Sequence, residues 1–201
     1  MAKKYEKVKL GLPAYITFAL VALAIIIMVL ILIPSNKSKI RKMFSGTYTE
    51  PAEQGQEGEE KSYDIGEKHV IKMCSFSSLK KQMKKDQYTY ILYGDTSSYQ
   101  FCLDAIEVNK KAKEINEKSE GKKISIIYVN SKSLSKNQKE YLRDRLKKVN
   151  TNVKSVDRMP SEDLWLVRND EFIDCYSNEV YSETQRSISY VAKYQIFSYT
   201  N

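Results

Sequence analysis

Residues 68–201 predict an α/β domain, a mixed sheet with helices on both faces, and residues 13–34 predict one transmembrane helix before it. Three observations carry this reading. Short uncharged β-branched and aromatic runs alternate with stretches whose apolar residues recur every three or four positions, in the order βαβαβαββα. Strands joined through helices must run parallel with right-handed crossovers, and a late hairpin adds an antiparallel edge. Finally, residues 14–33 carry no charge and lie between Pro13 and Pro34.

In chain order, residues 1–12 form a short basic tail with Lys3, Lys4, Lys7 and Lys9. At 1.5 Å per residue, residues 14–33 as a helix match the roughly 30 Å hydrocarbon core of a bilayer. No small-residue cleavage site follows Pro34, so the span reads as a retained signal anchor rather than a removed leader. Lys37, Lys39, Arg41 and Lys42 after the span balance the lysines before it, and the positive-inside comparison is close to a tie. A short tail with a large domain after the span is the common N-inside arrangement. The expectation is a single-pass membrane protein with its folded domain outside the cytoplasm. Residues 35–67 then read as a charged flexible linker, basic first and acidic from Glu50 to Glu60.

Within the domain, residues 70–74 read as a first strand and residues 75–85 as a helix with Phe76, Leu79 and Met83 on one face. Residues 89–93 are a central strand, apolar on both faces. Residues 94–98 are turn chemistry, and Ser97 or Ser98 is placed to cap the next helix. Phe101, Ala105, Val108, Ala112 and Ile115 then line one helical face. Residues 124–129 are a third strand and residues 135–150 a third helix. Residues 153–158 lead to Met159 and Pro160. Residues 164–167 and 172–175 form a hairpin around residues 168–171, and residues 184–198 a last helix. Trp165 reads as core.

The strand–turn–helix over residues 89–115, with its cysteine at the start of the helix, resembles the active-site segment of thioredoxin-fold proteins. The element order over residues 69–199 resembles theirs too. Those proteins carry Cys-x-x-Cys in the turn. This chain has Tyr99-Gln100-Phe101-Cys102, and alignment on Gly94 instead puts Ser98 and Phe101 in the two positions. Both registers stay open, and in either the dithiol is missing. The resemblance implies an exposed nucleophile at the helix N-terminus, where free N–H groups favour a thiolate. It also implies a cis-proline loop facing the turn, here at Met159-Pro160, whose first residue offers backbone hydrogen bonds to an extended polypeptide. The buried acid that the family tends to place in the preceding strand is replaced by Tyr93 or a neighbour. Glu162 and Asp163 look like extra residues between the proline loop and the strand. In such a sheet the first and last strands lie at opposite edges. Cys74 and Cys175 would then be too far apart for a disulfide, and three free thiols are expected.

Composition narrows the function. The formal net charge is +8, with one histidine and three cysteines. Much of the excess charge flanks the apolar run, and no zinc-finger spacing or phosphate loop accompanies it, so no nucleic-acid partner is expected. His69 reads as incidental, which leaves no His-based metal site and no Cys–His pair; no metal or cofactor is expected. The leading expectation is a membrane-anchored, redox-inactive thioredoxin-like domain. It would bind or position a protein or extended-peptide partner through Ser98, Tyr99, Cys102, Met159 and Pro160, in secretion or cell-envelope assembly. Anchored thioredoxin-like accessory proteins of Gram-positive bacteria, including those of bacteriocin production, are similar in plan. Two alternatives stand beside it: a monothiol oxidoreductase using Cys102, and a structural subunit of a membrane complex.

Overall fold

The computed structural model describes residues 11–32, 35–50, 58–121, 123–149 and 159–177. The chain divides into two units at Ser35. The first contains helix α1 (Leu12–Leu32). Pro13 sits in its first turn, where the missing N–H costs nothing, and the Thr17 hydroxyl donates to the Pro13 carbonyl at 3.0 Å. Among the described residues no helix is long and apolar enough to cross a membrane. The α1 side chains at residues 15–29 are all exposed. The expected anchor is therefore not established by this structure.

The second unit opens with α2 (Asn36–Met43), β1 (Ser45–Thr49) and β2 (Glu60–Asp64), the two strands pairing antiparallel from Ser45↔Asp64 to Thr49↔Glu60. Over residues 36–50 and 58–67 this corrects the flexible linker expected for residues 35–67; residues 51–57 lie outside the described residues. Ile40, Phe44 and Ile65 are buried in one core with α4 and the main sheet. A few apolar side chains, each seated in a preformed site, are enough to hold a mostly polar segment. The Arg41 guanidinium adds a clamp, reaching Asp64 at 2.6 Å and Glu67 at 3.0 Å.

The remaining elements are β3 (Ile71–Met73), α3 (Phe76–Met83), β4 (Thr89–Gly94), α4 (Tyr99–Lys118), β5 (Ile126–Asn130), α5 (Lys136–Leu146), β6 (Asp163–Arg168) and β7 (Glu171–Ser177). The strands form one sheet in the order β3-β5-β4-β6-β7. β5 runs parallel to β3 and β4, and β6 runs antiparallel to β4 and β7. This is the mixed, thioredoxin-like arrangement expected from the sequence. β4 is central, and every one of its residues is buried.

Alternation along the strands sends their side chains into two cores. Tyr90, Leu92, Ile126 and Tyr128 meet α2 and α4 on one face. Ile91, Tyr93, Ile127, Trp165 and Val167 meet α3 and α5 on the other. Serines start the helices as expected. Ser75 and Ser98 accept N–H bonds as N-caps, and Ser135 makes a full capping box with Gln138. The β6–β7 turn places Asn169 and Asp170 at φ 53° and 62°, the pair of left-handed residues that a two-residue hairpin needs. Their amides donate to the Lys85 and Met83 carbonyls at 3.1 and 2.6 Å, so the turn satisfies the end of α3. The helix expected over residues 184–198 and the segment 153–158 lie outside the described residues.

Cys74 is exposed, Cys102 and Cys175 are buried, and all three are free thiols. Cys74 follows β3 and Cys175 lies on β7, the two edges of the sheet.

Candidate functional site

The expected site residues gather at the C-terminal end of β4. The polypeptide leaves the sheet at Gly94 and turns through Asp95, which accepts the Ser97 amide at 3.1 Å. Lys132, just after β5, pairs with Asp95 at 2.5 Å. A Cβ on Gly94 would lie 2.4 Å from the Phe101 ring, so glycine is needed here for close approach. Ser98 is the N-cap of α4, its hydroxyl accepting the Phe101 amide at 3.3 Å.

That bond bears on the register left open by the sequence. A nucleophile served by the free N–H groups of a helix must stand where its side chain meets them. In this chain that place is held by Ser98, and three residues on stands Phe101, which is fully buried. Cys102 falls one residue further along.

The Cys102 sulfur has no exposure. It lies 3.5 Å from the Thr96 carbonyl and 3.9 Å from the Met43 carbonyl of α2. Burial pushes the thiol up from its ordinary value. A hydrogen bond with Tyr63 of β2 draws it back in part, while the charges of Glu162 and Asp95 add to the rise. A reactive cysteine needs an exposed, electropositive setting, and this is the reverse.

The cover is the α2–β1–β2 segment. Phe44 packs on Tyr128 at 4.9 Å between ring centres and on Phe101 at 6.0 Å. Tyr48 of β1 stacks on Tyr99, the first residue of α4, at 5.0 Å with the rings 6° from parallel. Tyr99 stays 41% exposed, so the turn presents an aromatic surface beside Ser98.

The pairing Tyr93↔Asp163 brings the chain just before β6 to the same end of the sheet as the turn. Met159 is half-buried against the α3–α5 core, and Pro160 is buried. Among the described residues no peptide bond is cis, which corrects the cis-proline that the resemblance implies at Met159-Pro160.

Sequence reasoning missed several residues. Asp163, taken for part of an insertion, is the first residue of β6 and fully buried. Its carboxylate accepts the Trp165 indole N–H at 2.7 Å. Tyr93, stacked on Trp165 at 4.5 Å, is pushed up to about 12 by burial and by the charge of Asp163. A buried acid thus stands beside the strand that precedes the turn, on a neighbour rather than on that strand. Only the cross-strand pairing could have revealed it. His69 is buried as well, its ring nitrogens 2.9 Å from the Ile71 carbonyl and 3.0 Å from the Lys37 carbonyl, joining β3 to α2. Among the described residues no group of acidic, histidine or cysteine side chains is arranged to hold a metal.

No family model and no curated protein matches the chain. One solved structure, a proposed oxidoreductase with a thioredoxin fold, is similar at 17% identity and a TM-score of 0.40, covering 62% of this chain and 92% of its own. A likeness that distant does not bear on chemistry, and the reading of the fold rests on the strand order itself.

Proposed function

We propose that this chain is a membrane-tethered, redox-inactive thioredoxin-like domain that positions a polypeptide partner at the end of the sheet where a thioredoxin would do its chemistry. One observation carries the reading. The helix position that would activate a thiolate belongs to a serine hydroxyl, and Cys102 lies under α2 and β2 with its thiol pushed up by burial. The uncharged residues 14–33 support the tether, with the domain on the extracytoplasmic side, in secretion or cell-envelope assembly. The partner surface centres on Tyr99 and Ser98, with Tyr48 behind them. Met159 and Pro160 contribute backbone at its margin.

The test is alkylation of Cys102 against pH, followed by peptide mass spectrometry of the full-length protein in a mild detergent. Slow labelling that needs denaturant, with an apparent pKa above the usual thiol range of about 8.5, is expected. Rapid labelling near neutral pH would favour the monothiol oxidoreductase instead. A photo-crosslinker at position 99 then tests the partner: a specific adduct separates a docking module from a subunit held by other surfaces.

A further inference from the structure

β1 is an edge strand left open on one side. It pairs with β2 alone, in a two-stranded sheet of their own. The ladder fixes which of its main-chain groups face outward. At one end the Ile65 amide donates to the Phe44 carbonyl at 3.2 Å, and at the other the Glu50 amide donates to the Glu59 carbonyl at 2.9 Å. Hydrogen-bonded pairs alternate along an antiparallel ladder, so Phe44, Gly46, Tyr48 and Glu50 bond toward β2. Ser45, Thr47 and Thr49 turn their N–H and C=O groups the other way. Gly46, Thr47 and Thr49 are exposed, and among the described residues no strand pairs on that side.

Natural sheets blunt such edges with charge, proline or shortness. The other edge strands follow that rule. β2 carries Glu60, Lys61 and Asp64, β7 carries Glu171 and Asp174, and β3 has only three residues, Lys72 among them. β1, Ser45-Gly-Thr-Tyr-Thr49, has no charge and no proline. A second observation says which partner fits this edge. The basic last turn of α2, Arg41 and Lys42, stands before β1, and Glu50, Glu59 and Glu60 stand at its far end. Asp64 and Glu67 hold Arg41, whereas Lys42 is exposed and makes no ion pair among the described residues. At the acidic end Lys61 answers both Glu50 and Glu59, which leaves that end a surplus of negative charge. An antiparallel copy of β1 brings these unlike ends together, and a parallel one would set like against like.

We propose that β1 pairs antiparallel with β1 of a second copy of this chain, about a two-fold axis through Thr47. Thr47 then stands opposite itself and Ser45 opposite Thr49. This register uses every outward-facing residue of the strand and forms about six main-chain hydrogen bonds. Tyr48, stacked on Tyr99 within its own chain, falls opposite Gly46, so no side chain across the pair obstructs it. Two five-residue strands bury less than a standard interface of about 1,200–2,000 Å². The contact is therefore weak between free domains and gains strength where two copies are held near one another. The inference does not depend on the function proposed for the Tyr99 surface.

The test is disulfide trapping on the full-length protein in a mild detergent, in a Cys74→Ser background that removes the exposed thiol. Residues of a hydrogen-bonded pair stand about 5.5 Å apart at Cα, within reach of a disulfide. Thr47→Cys should therefore form a covalent dimer on mild oxidation. Ser62→Cys is the control, because Ser62 lies directly behind Thr47 on β2. Two copies of it would stand about 14 Å apart across three strand spacings. Thr47→Cys should be trapped at least about tenfold faster than Ser62→Cys. With Thr47→Cys in place, Thr49→Lys should slow trapping roughly tenfold, by adding charge of the wrong sign to the end that meets the basic turn of α2. Thr49→Glu should leave the rate unchanged or raised. Equal rates for Thr47→Cys and Ser62→Cys, or equal effects of the two Thr49 variants, would overturn the proposal. Trapping of a different polypeptide at position 47 in native membranes, in place of a second copy, would overturn it too.

Discussion

Phe44→Ala tests whether residues 36–65 belong to the folded domain. Phe44 has no exposed surface and touches the rings of Phe101 and Tyr128. A buried phenylalanine removes about 150–250 Å² from water, worth about 4–6 kcal/mol at 25 cal/mol per Å². Alanine keeps part of that, and the surroundings close only partly over the gap. Measured Phe→Ala losses in cores are about 3–5 kcal/mol. Set against a domain stability of about 5–15 kcal/mol, this is a large fraction. The assay is urea unfolding of the full-length protein in detergent, followed by tryptophan emission, since Trp165 lies in the opposite core. A second readout is native alkylation of Cys102, whose sulfur lies near the Met43 carbonyl beside Phe44. If the thiol becomes accessible by release of α2, β1 and β2, a 3 kcal/mol loss should speed labelling by about two orders of magnitude. A stability change under about 0.5 kcal/mol, with unchanged labelling, would return the segment to the status of a linker and refute the reasoning.

Gly94→Ala should cost about 1–3 kcal/mol, because the new methyl collides with the buried Phe101 ring, and adding Phe101→Leu should recover part of it; thermal melts of the single and double variants check this. Asp170 accepts from Arg145 at 2.6 Å and from the Tyr141 hydroxyl at 3.0 Å, and the Arg145 guanidinium holds its carboxyl below the usual range. Its folded-state pKa is depressed, so its contribution is full above the unfolded value of about 3.9 and is lost as pH falls through the folded value. Asp170→Asn should cost about 1–2 kcal/mol at neutral pH and flatten the acid limb of the stability curve below about pH 4, measured by urea titrations at several pH values. Tyr48→Ala should cost about 0.5–1.5 kcal/mol through loss of the stack on Tyr99, a smaller effect than Phe44→Ala because Tyr99 stays partly exposed; urea unfolding gives the difference.

The strands and helices from Ile71 to Leu146, and the β6–β7 hairpin, were legible because burial on two faces imposes a period on side chains, and that period survives in one dimension. Ser98 was legible as a cap because capping is local. The arm from Asn36 to Ile65 was not, since Ile40, Phe44 and Ile65 are isolated among polar residues and their value lies in a distant core that composition cannot see. The same holds for Asp163, which sits beside Tyr93 only through pairing of β4 with β6.

By itself, then, the sequence determined an α/β chain with no dithiol at its helix start and an uncharged stretch at residues 14–33. Tertiary structure alone decided which residue meets the free N–H groups of α4, that the Cys102 sulfur lies beneath α2, and that Asp163 stands beside Tyr93. The physical reason is that bonding types and periods are local properties of the chain. Exposure and the pairing of buried groups belong to the space between segments that are far apart in sequence.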